Sequence, residues 1–322
     1  MMNSPLLARL AMSVGAGLAA ALLFIVPIKG TTIGFFLAYF APLPIMIAAL
    51  GWGHATGLVA TGVGALTLAL ALHPLMAGLF AVALGLPAWR LAQVTLFARD
   101  GEAGRRWYPI PAIVTQAAFL GAGVAMVAIL SLAFSYGGYG KAIAQATKII
   151  AQVIESFGGQ MFSAANPLES LELARVILAI APAALAGSTM GMLLVNLWLA
   201  ARIVQKSHRL PRPWADIPTA LVLPPSVAAV FALSLVLCAL PGLAGATAMV
   251  AAAASGLALA LHGLAALHAH SRGNSLRAPM LSALYAVSFI FTPLPLVLAL
   301  IVGLADIAFA LRRRAAPPSP QT

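Results

Sequence analysis

Residues 291–303 read FTPLPLVLALIVG, and residues 40–53 read FAPLPIMIAALGWG. Each stretch begins with Phe-x-Pro-Leu-Pro and continues into an apolar run that ends in glycine. Proline lacks the backbone N–H and disfavours helix in the residue before it, so a pair of prolines can divide a helix into two parts. The fold therefore depends on which helices contain these two stretches.

The composition indicates an integral membrane protein. Of the 322 residues, 62% are hydrophobic and 8% are charged, and so few charges could not cover the surface of a water-soluble domain. Because a helix needs about 20 apolar residues to cross the hydrocarbon core, the apolar runs can be counted. Runs of this kind lie at 10–28, 33–50, 55–72, 76–98, 110–135, 174–202, 218–240 and 243–267.

The net charge of +11 comes mainly from arginines and lysines in loops. If Arg9 is cytoplasmic, alternate crossings place the basic loops 99–109, 203–216 and 268–277 in the cytoplasm, as the positive-inside rule requires. The basic residues do not form a stripe interleaved with aromatic residues, which single-stranded nucleic acids require. We therefore expect membrane lipid as a partner and no nucleic acid.

The apolar region 276–311 is too long for one ordinary crossing. A single ninth helix would carry Arg312 outward against the charge rule, so the chain has to turn back, and Pro293 and Pro295 can divide the region into two arms. We predict an all-α polytopic membrane bundle of about 8–10 membrane segments, with both termini cytoplasmic and 276–311 as a proline-broken hairpin. Pro42 and Pro44 likewise predict a kinked or discontinuous helix in 33–50.

A polar segment interrupts the apolar runs between about 136 and 172. Apolar residues recur there at steps of three and four, which predicts an amphipathic helix in an extracytoplasmic insert at about 139–166. This helix would lie on the outer membrane surface or close over a cavity mouth as a lid. We expect 1–314 to form a single transmembrane domain and 315–322 a disordered tail. The apolar positions of the helix are Ile143, Ala146, Ile150, Val153 and Phe157.

Ionisable residues inside membrane segments are candidate functional residues, because their desolvation must be offset by a partner or by water. Arg90 and Asp306 both fall near the cytoplasmic ends of their segments, where they could form an ion pair. Arg90 could instead extend to the headgroups, and Asp306 could offset the terminal arginines. Further polar residues lie at similar depth and would line a substrate cavity or join helices by hydrogen bonds. They are Gln93, Gln116, Asn196, His262 and His54.

No pattern typical of catalysis or metal binding is present. His262, His268 and His270 differ by two, six and eight positions, whereas ligands on one helix face are separated by three or four. The G-x-x-x-x-G-K-[ST], H-E-x-x-H and G-x-S-x-G motifs are all missing from the sequence. We therefore expect no catalytic residue, no metal and no cofactor, and a protein that is not an enzyme.

Small residues at helical spacing predict close contacts between helices. One such pair is Gly187 and Gly191, and a longer stripe is formed by Ala11, Gly15 and Ala19.

At APLPIMIAALGWG, LGLPAWRLAQ and GLADIAFALRRR the sequence resembles the YybS-like family of uncharacterised bacterial polytopic membrane proteins. The resemblance covers nearly the whole chain, although Ile307 stands where the family often has an aromatic residue. It implies signature positions at Pro42, Pro44, Gly51, Pro87, Gly303, Asp306 and Arg312.

The YybS-like family is distantly similar to the substrate-capturing S components of energy-coupling factor transporters, which dock on a coupling subunit through small residues of their first helix. In this chain Ala11, Gly15, Ala16, Ala19 and Ala20 would match that contact. The resemblance implies a transport-related protein of the bacterial inner membrane that binds a small-molecule substrate, with a coupling membrane protein as partner. The alternative is a non-transporting scaffold or assembly factor with protein or lipid partners.

Overall fold

The computed structural model describes residues 4–101, 104–161, 167–290 and 294–312, and within them the chain is almost entirely helical. The helices are α1 (Ser4–Ile25), α2 (Thr32–Ala38), α3 (Pro42–Trp52), α4 (His54–Ala71), α5 (Pro74–Phe80), α6 (Leu86–Thr95), α7 (Ile110–Ser135), α8 (Tyr139–Met161), α9 (Pro167–Lys206), α10 (Ile217–Ala220), α11 (Pro225–Leu237), α12 (Gly242–His270), α13 (Arg277–Ile290) and α14 (Leu294–Phe309). A 3₁₀ turn follows α1 at Val26–Lys29, and a π-helical turn, Ala81–Gly85, joins α5 to α6. Strands β1 (Ala98–Gly101) and β2 (Gly104–Trp107) form an antiparallel pair.

Seven segments of the described chain are long and apolar enough to cross a membrane. They coincide with seven of the eight predicted runs, which confirms the all-α polytopic membrane bundle. These segments are Leu6–Ile25, Thr32–Trp52, His54–Ala71, Pro74–Thr95, Ile110–Ser135, Leu168–Lys206 and Gly242–His270.

The eighth run, 218–240, does not form the continuous helix that was predicted. Its helix α11 has 13 residues, so at 1.5 Å per residue it is about 20 Å long, shorter than a hydrocarbon core of about 30 Å. The residues 221–224 before it are not helical. The cause is the pair Pro224 and Pro225, which together remove two N–H donors and disfavour helix on their N-terminal side.

Both Phe-x-Pro-Leu-Pro stretches lie next to a helix start. At the first, α2 ends at Ala38 and α3 begins at Pro42. At the second, the region 276–311 contains α13 and α14, with Pro295 buried in the first turn of α14. Pro293 lies outside the described residues, as do 313–322, which include the predicted tail.

The predicted amphipathic helix corresponds to α8, which packs against α12. Ala142, Thr147 and Ala151 are buried, whereas Val153 is 47% exposed. The buried face is therefore rotated away from Val153, toward the small side chains of Ala142, Thr147 and Ala151. The last five residues of the predicted insert, 162–166, lie outside the described part of the chain.

The contacts within the chain divide it into two compact units. Unit 1 consists of Met1–Leu120 and Met190–Ala220, and unit 2 consists of Gly121–Thr189 and Leu221–Thr322. In unit 1, α4 packs against α1 and α3. In unit 2, α12 packs against α11 and α14.

The close helix contact of α1 uses other small residues than the sequence predicted. A Cβ on Gly17 would lie 2.5 Å from the carbonyl oxygen of Ala60, so α1 and α4 meet at this glycine. The predicted stripe is turned outward, since Ala11 and Gly15 are exposed and Ala19 is half-buried. Gly187 and Gly191 are also half-buried, and a Cβ on Gly187 would meet nothing within 4 Å.

Candidate functional site

The candidate site of unit 2 depends on a close contact between α12 and α14. A Cβ on Gly263 would collide with the carbonyl oxygen of Ala299, and a Cβ on Gly303 would collide with that of Leu259. The obstructing atoms belong to backbone, so no side-chain rotation relieves the overlap. Glycine at 263 and 303 therefore lets the two helices touch along their backbones.

This contact brings His262 and Asp306 together. His262 lies one residue before Gly263, and Asp306 lies three residues after Gly303, so both flank the crossing point. The histidine Nε2 and the aspartate Oδ2 are 2.8 Å apart, and the side chains are 0% and 4% exposed. An ionisable pair so deeply buried must obtain its hydrogen bonds from the protein.

Arg312 supplies the positive charge of the site. Its Nε donates to Asp306 Oδ2 at 2.7 Å, and its backbone N–H donates to Oδ1 at 3.0 Å. The arginine side chain is 11% exposed. The carboxylate thus receives hydrogen bonds on both oxygens, and its partner Arg312 is one of the terminal arginines.

The same side chains hold the non-helical residues 221–224. Arg312 Nη1 donates to the carbonyl oxygen of Leu221 at 2.9 Å, and the backbone N–H of Leu223 donates to His262 Nδ1 at 2.9 Å. Both leucines are buried. Non-helical backbone at membrane depth is tolerated where protein groups replace the missing helical hydrogen bonds, and here His262 and Arg312 do so.

The hydrogen bonds of His262 determine which ring nitrogen carries the proton. Because Nδ1 accepts from Leu223, the proton of the neutral ring is on Nε2, where it is donated to Asp306. Arg312 Nη2 also lies 2.7 Å from Nε2; both nitrogens carry hydrogens in this tautomer, so this contact is not a hydrogen bond. A second proton on the ring would have to occupy Nδ1 and would break the bond to Leu223. The arrangement therefore links the charge of His262 to the position of residues 221–224.

We define His262, Asp306 and Arg312 as the buried trio. Both ring nitrogens of its histidine are occupied by protein partners. Among the residues that the structure describes, no three His, Cys, Asp or Glu side chains are grouped so as to hold a metal ion. The expectation of no metal and no cofactor stays a prediction.

The other predicted polar residues lie in unit 1 and have different partners. Arg90 Nη1 donates to Gln93 Oε1 at 2.7 Å, and its guanidinium lies 5.8 Å from the centre of the Phe97 ring. His54 is exposed, and its carbonyl oxygen accepts from Trp89 Nε1. Gln116 is half-buried on α7.

Asn196 supports the break between α2 and α3. It is 1% exposed, and its Nδ2 donates to the carbonyl oxygens of Tyr39 and Met192 at 2.7 and 2.8 Å. In a continuous helix Leu43 would donate to Tyr39, but its N–H bonds to Phe40 instead. The asparagine therefore replaces a hydrogen bond that the helix break removes, while its own Oδ1 has no partner among the described residues.

Arginines contact aromatic rings where several helices of unit 1 end. Arg209 lies 4.7 Å from the Trp52 ring centre and Arg202 lies 4.6 Å from that of Trp214. Arg212 Nη1 donates to the carbonyl oxygen of Thr95 at 3.2 Å, and burial lowers the pKa of this guanidinium. Since these contacts join the loop after α9 to the ends of α3 and α6, the three helix ends lie on one side of unit 1.

The pairing of Asp306 with a terminal arginine was one of two alternatives left open by the sequence, whereas the bond from Arg312 to Leu221, the break at 221–224 and the arginine–aromatic contacts were missed. Two signals were present. An aspartate followed six residues later by arginine can pair with it where a helix ends, and LPP inside an apolar run marks a helix break. The contacts of Leu221 and Leu223 had no signal, because they depend on the packing of α12 against α14.

The family comparison places the chain among membrane proteins. Residues 18–307 match a family model whose description is predicted membrane protein (DUF2232). No curated protein and no solved structure matches the chain. The matched range includes α12, α14 up to residue 307, His262 and Asp306, and it covers most of the 322 residues. The chain therefore belongs to the DUF2232 family of predicted membrane proteins.

Proposed function

We propose that this multi-pass membrane protein is a transport-related protein of the bacterial inner membrane that binds a small-molecule substrate and has no catalytic activity of its own. The observation that carries the proposal is the buried trio together with the non-helical residues 221–224 that it holds. The earlier resemblance to S components of energy-coupling factor transporters points in the same direction.

The physical argument starts from the cost of burial. A charged group inside a bundle costs free energy, so ionisable residues within membrane segments are rare and mark pathways, relays or binding sites. A helix break adds to this cost, because the freed backbone groups need partners. Secondary transporters commonly combine the two features, with discontinuous helices around a buried site.

The trio would have one state without a ligand and another with a ligand. In the ligand-free state the neutral ring of His262 accepts from the Leu223 amide, and Arg312 donates to the Leu221 carbonyl oxygen. A ligand that attracted Arg312 or Asp306 would remove one of these bonds and release residues 221–224. Substrate binding would thereby be coupled to the conformation of the segment that precedes α11.

The proposal predicts stabilisation by ligand. The purified, extensively washed protein would be melted with and without fractions of a host small-molecule extract. A ligand at 100 times its Kd stabilises by about 2.7 kcal/mol, which corresponds to about 5–10 °C for a unit of this size. An active fraction should act less on Asp306→Asn than on Asp100→Asn, a substitution at an exposed ion pair. If no fraction changes the melting temperature, the transport proposal is wrong.

The second candidate function is a non-transporting scaffold or assembly factor. The observation that favours it is the set of arginine–aromatic contacts on one side of unit 1. Exposed arginines of this kind suit anionic lipids or acidic protein surfaces. This candidate predicts stable protein partners and no response to small molecules.

A further inference from the structure

The β-hairpin of unit 1 carries two arginines side by side on one face. Its strands pair Arg99 with Arg106 and, one position nearer the turn, Asp100 with Arg105. Successive side chains of a strand point to opposite faces of the sheet. Asp100 and Arg105 therefore share one face, where they form an ion pair at 3.8 Å. Arg99 and Arg106 share the other face, where two like charges lie directly opposite each other.

The hydrogen bonds between the strands fix the spacing of this arginine pair. The N–H of Tyr108 donates to the carbonyl oxygen of Phe97 at 2.8 Å, so these residues belong to a hydrogen-bonded pair of the antiparallel ladder. Such pairs recur at every second position, and their Cα atoms are about 5.5 Å apart. Arg99 and Arg106, two positions further along, are the next such pair. Since both side chains leave the same face at this spacing, their guanidinium groups can reach a single anion between them.

The two faces of the hairpin differ in how their charges are balanced. Arg105 has the Asp100 carboxylate and the ring of Trp107, whose centre lies 5.0 Å from the guanidinium. Arg99 and Arg106 are exposed, and with the described residues they form no hydrogen bond, ion pair or ring contact. Like charges directly opposite each other on a sheet are destabilising. An anion bound between the two arginines would remove this repulsion.

The position of the hairpin indicates where such an anion comes from. The hairpin joins two segments that can cross a membrane, Pro74–Thr95 and Ile110–Ser135. Phe97 and Tyr108 lie on the face of the arginine pair, between it and the membrane segments, and their ring centres are 6.5 Å apart. Tyrosine is enriched where membrane segments reach the headgroups. This face therefore has aromatic rings next to the membrane segments and two arginines directly beyond them.

The charge of the arginine pair selects a class of headgroup. A guanidinium can bind two phosphate oxygens at once. A phosphomonoester has three free oxygens and a charge of about −1.5 to −2 at pH 7, which two arginines balance. A phosphodiester headgroup such as that of phosphatidylglycerol has a single negative charge and leaves one arginine unbalanced. We propose that Arg99 and Arg106 together bind the phosphomonoester headgroup of a membrane lipid, of which phosphatidate is the simplest.

The proposal is independent of the transport function and of the buried trio, which belongs to unit 2. It also differs from the general attraction of basic loops to anionic membranes. That attraction follows the net charge of the hairpin and does not distinguish Arg99 or Arg106 from Arg105. A comparison of the two faces therefore separates the two explanations.

The test is native mass spectrometry of the full chain in nanodiscs with equal amounts of phosphatidate, phosphatidylglycerol and phosphatidylcholine. We expect phosphatidate to be the lipid retained on gentle release. Arg99→Gln and Arg106→Gln should each reduce its retention about three- to tenfold, the loss of one charge-assisted contact. Arg105→Gln is the matched control, because it removes the same charge from the other face of the same hairpin. This control should retain phosphatidate as the wild type does.

Three results would overturn the proposal: equal retention of phosphatidate and phosphatidylglycerol, an equal loss in Arg105→Gln, or retention of no lipid, as expected of a surface for an acidic protein. A further arm adds soluble glycerol 3-phosphate, which we expect to compete weakly because it lacks acyl chains. Complete competition by this compound at low concentration would contradict a lipid and assign the pair to a soluble phosphomonoester. The three variants should melt with the wild type, because the substituted side chains are exposed.

Discussion

For Gly303→Ala, the contact between α12 and α14 predicts a loss of stability, whereas helix propensity alone predicts a gain. In an isolated helix, Gly→Ala raises stability by about 0.5–1 kcal/mol. In this fold, an alanine Cβ at position 303 would overlap the Leu259 carbonyl oxygen and lie 3.1 Å from the Gly263 nitrogen. Because these are backbone atoms, the two helices must separate.

We expect Gly303→Ala to lower the stability of unit 2 by about 2 kcal/mol. Overpacking costs about 1–3 kcal/mol, and we take the upper end because the obstructing atoms are backbone. Alanine has a higher helix propensity than glycine by about 1 kcal/mol, which offsets part of this cost. For a unit of this size the melting temperature should fall by about 4–8 °C.

The assay is a thermal melt of the detergent-solubilised protein, followed by intrinsic fluorescence or by loss of the monodisperse peak. The matched control is Gly123→Ala, in the middle of α7, where a Cβ would meet nothing within 4 Å. This control should melt at the wild-type temperature or slightly above it. A Gly303→Ala protein that melts together with the Gly123→Ala control would refute the close packing of α12 on α14.

Three further predictions concern the polar contacts. Asp306→Asn should destabilise the protein by about 3–5 kcal/mol, because it leaves a buried guanidinium without its carboxylate, whereas Asp100→Asn at the exposed ion pair should cause no measurable change in the melting temperature. His262→Ala removes the acceptor of the Leu223 amide, and hydrogen–deuterium exchange of the peptide that contains this amide should become faster than in the wild type; unchanged exchange would contradict the bond. Asn196→Leu only loses the two hydrogen bonds and should lower the stability by about 1–3 kcal/mol. Asn196→Asp places an oxygen against two carbonyl oxygens and should therefore melt at a lower temperature than Asn196→Leu. The reverse order in a thermal melt would exclude the assigned amide orientation.

The membrane segments could be predicted because their signal is local. An apolar run of about 20 residues identifies a crossing whatever surrounds it, and proline acts on its own neighbours in the chain. This is why the position of α2 and α3 around Pro42, and the two arms α13 and α14, follow from the sequence. The same rule explains the break at Pro224 and Pro225, which the length of the 218–240 run alone does not indicate.

The site could be predicted only in part. His262 and Asp306 were recognised because polar residues in apolar helices are conspicuous. Their pairing depends on a backbone contact at Gly263 and Gly303, which lie 40 positions apart, and no local pattern encodes that contact. Arg312 was assigned to the membrane surface because arginines after a last helix usually lie there. In the structure its side chain turns back to the buried carboxylate.

The most direct test of the transport proposal is gentle extraction of the protein from its native membrane, followed by mass spectrometry of the proteins and small molecules that remain bound. The proposal predicts a metabolite in stoichiometric amount or a coupling ATPase, and Asp306→Asn should lose the metabolite while Asp100→Asn keeps it. Envelope or cytoplasmic assembly proteins without any metabolite would contradict transport and establish the protein as a scaffold.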